Sequence, residues 1–265
     1  MVTIVPKEVF EKLNTVVNED SESKKTAFSF KDFQDNVFHY SYVKDYLQDK
    51  NIDFVGEGSG RIAFMIPKGS SKDAKKSAVC FKVAKNIKGI AQNKAEHEVI
   101  TKFKKYPCVP EIFAYDKGAN IGIELELGRK VSDEDIHNFF GEWKEEVEKT
   151  GFILTKDGII NDVQNAEDIY EYIRKLRTLR NSGIGGKNLL KIILKKLNTI
   201  SSKHAEYLPF TSLFEVLFIK NAVDELEIGD FGTADNWAFI NRNNKNVLLP
   251  IDWGFTKEVA DKYYY

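Results

Sequence analysis

The chain changes texture along its length, and that change limits the folds open to it. Over residues 52–127 apolar side chains come in short alternating runs, and beyond Val131 they recur at helical spacing. Segments 52–56, 61–66 and 78–84 read as three strands, the first two flanking a glycine-rich turn. Residues 91–104 read as a helix with Ala95, Val99, Ile100 and Phe103 on one stripe. Pro107 and Pro110 stop it, and 111–115 and 121–127 return to strand. Three strands, one helix and two strands predict a small, half-open sheet crossed by a single helix.

The remainder is mainly helical, with helices expected over 133–149, 166–180, 187–198 and 212–226. The last carries Ser212 and Glu215 at capping-box spacing and is apolar almost all round, as a central buried helix would be. Two short strands, 237–240 and 247–251, are joined by a turn over 241–246. Ahead of the sheet, 6–17 and 30–47 have helical patterns and 18–25 is a polar connector. The chain therefore divides into a helical extension (1–51), a sheet-bearing part (52–130) and a helical part (131–265).

Composition excludes several classes of function. Lys and Arg total 39 against 40 Asp and Glu, so a concentrated basic surface for nucleic acid is not expected. Cys80 and Cys108 stand apart without partner spacing, which fits a reducing compartment. The four histidines, His39, His97, His137 and His204, have no neighbour at zinc-ligand spacing. No apolar run approaches a membrane span, and the first seventeen residues lack the unbroken apolar stretch of a signal peptide. A soluble, cytoplasmic protein with no membrane partner is the expectation.

Four places can carry chemistry. Gly56-Glu57-Gly58-Ser59-Gly60-Arg61 lies between two strands, where glycines let backbone N–H groups approach phosphate oxygens; the plain alternative is a hairpin turn. In 78–84, alternation sets Lys82 on a face with Ala78, Cys80 and Ala84, a pocket floor unless the lysine snorkels to water. Glu96 on the following helix has the charge to hold Lys82, with Glu98 as rival. Finally, Asp230, Asp235 and Asn236 share one loop, and Asp252 ends an apolar strand before Trp253-Gly254. Phosphoryl transfer uses such a set, one carboxylate to orient the nucleophile and oxygen ligands for magnesium, although Asp230 and Asp235 also suit a glycine-rich turn.

Taken in order, these features resemble the protein-kinase-like superfamily over residues 52–260. The similarity is nearest to small bacteriophage kinase-like proteins, and more distant to protein kinases and aminoglycoside phosphotransferases. The resemblance implies a two-lobed α+β fold: a small antiparallel-sheet N-lobe with one helix, a mainly helical C-lobe, and Mg-ATP held between 52–127 and 131–265. By that likeness Gly56, Gly58, Ser59 and Arg61 belong to the nucleotide-covering loop, Lys82 is the strand-three lysine and Glu96 its helix partner. Glu124 and Glu126 fall in the segment 124–127 that reads adenine through its backbone. Asp230 is the base, and Asp235 or Asn236, with Asp252, binds Mg2+. The acceptor is a protein or small molecule that the residues do not identify. A partner-binding module without turnover, in a virion or the host cytoplasm, is the alternative. Three departures bear on it: Arg61 where a third loop glycine is expected, Ile228 in place of a histidine, and little chain after Asp252 for a peptide-binding platform.

Overall fold

The computed structural model describes residues 4–5, 38–39, 53–66, 78–149 and 163–265. The helix expected over 6–17 lies outside these residues, and so does that over 30–47 except at Phe38–His39. Ile4–Val5 (β1) pairs antiparallel with Phe38–His39 (β2), so a strand pair interrupts the second expected helix. Val37-Phe38-His39-Tyr40 is β-branched and aromatic, which favours the pleated conformation.

The described chain is α+β and forms two compact units. Unit 1 holds Met1–Val99, Glu111–Leu127 and Lys262–Tyr265; unit 2 holds Ile100–Pro110 and Gly128–Asp261. In unit 1, Asp53–Glu57 (β3), Arg61–Ile66 (β4), Val79–Ala84 (β5), Ile112–Tyr115 (β6) and Gly122–Glu126 (β7) make an antiparallel five-stranded sheet in the order β3-β4-β5-β7-β6. Strand β5 is buried at every position, because it has a strand on each side and apolar packing on both faces.

Helix α1 runs from Ile87 to Phe103, four residues earlier than the apolar stripe indicated. Asn86 starts it, its Oδ1 accepting from the N–H groups of Lys88 (3.0 Å) and Gly89 (3.2 Å). At the far end of the sheet Asp116 closes the β6–β7 turn, accepting from the backbone of Gly118, Ala119 and Ile121.

Unit 2 contains Arg129–Lys130 (β8), Asp133–Lys149 (α2), Ala166–Asn181 (α3), Ile184–Ser201 (α4) and Leu208–Phe214 (α5). Trp237–Arg242 (β9) and Lys245–Pro250 (β10) form a hairpin that β8 joins, and Lys257–Tyr263 (α6) follows. The hairpin turn is tighter than expected: only Asn243 and Asn244 lie outside the ladder, both at positive φ (53° and 62°), as a two-residue turn requires. The core is aromatic. Phe210 packs edge-on against Phe140, Trp143 and Phe214 at centroid distances of 4.7, 5.3 and 4.7 Å.

The helix expected over 212–226 is corrected. It begins at Leu208, with Pro209 in a first turn that needs no N–H from it, so Ser212 lies inside the helix and caps nothing. After Phe214 the winding loosens into a π-turn over Glu215–Ile219, and Asn221 at φ 63° ends the run. Capping boxes instead open α3, between Asn165 and Asp168, and α2, where Ser132 and Asp135 exchange backbone bonds. Among the described residues no helix is long and apolar enough to cross a membrane.

Candidate functional site

The residues singled out by chemistry fall in both units, and each group is built by its own unit. In unit 1 the centre is Glu96, fully buried on α1. Its Oε1 accepts from Lys82 Nζ on β5 at 2.8 Å, and its Oε2 from the Arg61 guanidinium on β4. Lys82 and Arg61 are themselves 7% and 6% exposed, so two cations meet one carboxylate away from water. Opposite charge at contact in such a place is strong only because each group is held by other bonds. Arg61 supplies one of these, reaching Asn93 Oδ1 at 3.4 Å. Asn93 in turn donates to the carbonyls of Asn120 (3.1 Å) and Ile121 (2.8 Å), fixing α1 to the β6–β7 turn.

Between the two candidate acids the geometry decides. Glu98 has a 63% exposed side chain and faces Lys94 at 4.0 Å, one turn earlier on the helix. Arg61 is the first residue of β4, as the expected strand 61–66 has it, and its side chain turns inward to Glu96. Asn93 was missed altogether, because a buried amide on a helix has no signature in a single sequence.

The glycine-rich turn is held from below by the start of α1. Lys85 N donates to Gly60 O (2.8 Å), Lys85 Nζ to Gly58 O (2.7 Å) and Asn86 Nδ2 to Ser59 O (3.0 Å). Three successive loop carbonyls are thereby tied to Lys85 and Asn86. The approach is close enough that a Cβ on Gly89 would stand 2.0 Å from Gly60 O, so Gly89 requires glycine. Gly58 N closes the turn onto Arg61 O at 2.9 Å. Gly56 lies in β3, where the ladder with β4 slips register.

Glu124 and Glu126 belong to β7, which is flanked by β5 and β6. The backbone of Glu124 is spent inside that sheet, and Glu126 N donates to Glu111 O at 2.9 Å. An interior strand keeps most of its N–H and C=O groups for its neighbours. Leu127 is the first residue past the ladder.

In unit 2 the acidic group is assembled from two loops over an aromatic floor. Residues Ile228–Gly232 make a short 3-10 turn that presents Asp230, half-buried. Phe231, buried, packs against Trp237 (5.9 Å) and Trp253 (6.3 Å), and the two indoles donate to Phe231 O and Pro250 O. Gly232 sits against α3, where a Cβ would come 2.8 Å from Glu167 Oε2.

Asn236 links the loops. Its Nδ2 donates to Asp230 O at 2.8 Å, and its carbonyl accepts from Ile251 N at 2.9 Å, the residue before Asp252. Asp252 Oδ1 accepts from Gly254 N at 3.2 Å, the bond that turns the chain after β10. Asp235 points elsewhere: its side chain is 75% exposed and faces Lys130 at 3.4 Å. Asn236, not Asp235, is thus tied to Asp230 and to the residue preceding Asp252.

The donor set fits magnesium in kind. An amide oxygen and a carboxylate are hard ligands, and Mg2+ is usually held by one or two protein groups with water and phosphate completing the shell. The described residues contain no group of three or more His, Cys, Asp or Glu that could hold a metal. Compared with known protein families and with curated proteins, the chain matches none.

Proposed function

We propose that the chain is a Mg-ATP-dependent phosphotransferase of the two-lobed protein-kinase-like fold, as its sequence resemblance implies. The buried Lys82–Glu96 pair carries this reading. A lysine on the third strand of the sheet, held by an acid on the next helix, is the arrangement kinases use at the nucleotide phosphates. Lys82 would hold the α/β phosphates with Glu96 orienting it. Asp230 would take the proton of the attacking hydroxyl, and Asn236 and Asp252 would hold Mg2+. When bound, the ion supplies charge neutralisation on the transferred phosphoryl group.

Thermal melts with and without ATP and magnesium test it. Ligand at about 100 times its dissociation constant stabilises the native state by roughly 2.7 kcal/mol. For a chain of this size that is a rise of several degrees. We expect a magnesium-dependent rise in the wild type that is lost in Lys82→Ala and in Asp252→Asn. No rise at millimolar nucleotide would sink the reading.

A kinase-fold partner binder without turnover is the second reading. Arg61 favours it by sharing the carboxylate that orients Lys82. Transfer of label from ATP to any acceptor, abolished by Asp230→Asn, would eliminate it.

A further inference from the structure

We infer that Tyr264 is a latch on the glycine-rich loop, and that a nucleotide's phosphates must displace it to engage that loop. The second half of this inference rests on the function proposed above. Tyr264 Oη lies 2.9 Å from Ser59 Oγ, at the tip of the β3–β4 turn. Lys88 Nζ sits 4.5 Å from the centroid of the same ring, a cation–π contact. Ser59 is the only hydroxyl residue of the turn 57–61, and Lys88 stands in the first turn of α1, two residues beyond the Asn86 that caps this helix and holds Ser59 O.

The carbonyl side of the turn is therefore tied to Lys85 and Asn86, while its hydroxyl is taken by the C-terminal segment. A phosphate oxygen accepting from Ser59 Oγ or approaching Lys88 would compete with Tyr264 for the same two groups. Tyr264 directly follows Tyr263, the last residue of α6. The hydrogen bond to Ser59 is exposed, which suits a latch that a ligand opens. A closed state favoured by the worth of one such hydrogen bond lowers apparent ligand affinity by about five-fold.

The test compares the full-length wild type with Tyr264→Phe, Tyr264→Ala and Lys88→Met. Hydrogen exchange of the peptide covering 57–62 is followed without nucleotide, and Mg-ATP is then titrated into each protein. We expect faster exchange in the loop of all three variants, and ATP binding about five-fold tighter in Tyr264→Ala. Unchanged exchange in Tyr264→Ala would overturn the latch, whether or not ATP binds. Faster exchange with unchanged ATP affinity would overturn the competition with phosphate. Faster exchange with no ATP binding in any variant would keep the latch and remove the nucleotide reading instead.

Discussion

Tyr172 shows how a single polar atom can sit in an apolar core at a cost. The residue is on α3, 4% exposed, with its ring 5.2 Å from Phe214, and its hydroxyl has no hydrogen-bond partner among the described residues. Burial pushes its pKa well above the ordinary tyrosine range, since the phenolate could not be solvated there. An unmade hydrogen bond of this kind costs about 1–3 kcal/mol, and deleting the group that lacks a partner recovers part of that. Tyr172→Phe is therefore expected to leave stability unchanged or raise it by about 1 kcal/mol, measured as the urea midpoint. A clear loss would mean that the hydroxyl is satisfied in solution.

At the scale of elements, the link between β5 and α1 is where charge and packing meet. Removing Glu96 leaves Lys82 and Arg61 buried beside each other without their shared carboxylate. Breaking a buried ion pair from one side costs about 3–5 kcal/mol. Glu96→Ala should lose that much, while Glu98→Ala, two residues along on the exposed face, should stay within about 0.5 kcal/mol. Equal effects in chemical denaturation would refute the assignment of Glu96 as the tie between strand and helix. The strands themselves were legible in the sequence, because the alternation in 61–66 and 78–84 and the proline stops at Pro107 and Pro110 are local signals. Lys82 and Glu96 were legible as a pair for the same reason, each lying in a strongly periodic segment. What escaped was set by single side chains acting on distant backbone. The Asn86 cap, the inward turn of Arg61 and the bond from Asn236 to Asp230 O each depend on partners that no local pattern encodes. The winding change after Phe214 was hidden as well, since a run that is apolar on every side fits α and π winding equally.

Across the whole molecule, the two units carry acidic groups whose protons are held more tightly in the fold than outside it. Burial pushes the Cys108 thiol from its ordinary 9.0 up to about 12, and both Tyr115 and Tyr207 from 10.0 up to about 12. With folded values above unfolded ones, the folded state binds more protons in alkali. Stability from these groups is fully present below about pH 9 and is lost as pH rises towards about 12. The urea midpoint should accordingly fall steadily from about pH 8 to about pH 11, with Cys108→Ser flattening part of the slope. A midpoint independent of pH over that range would show that these groups ionise in the folded protein. The aromatic floor of unit 2 has a different use. Trp253 is 1% exposed, directly follows Asp252, and packs on the same Phe231 that follows Asp230. Its indole emission is thus a built-in optical reporter: in a chain with Trp143 and Trp237 changed to phenylalanine, events at either carboxylate can be watched as light, without any added label.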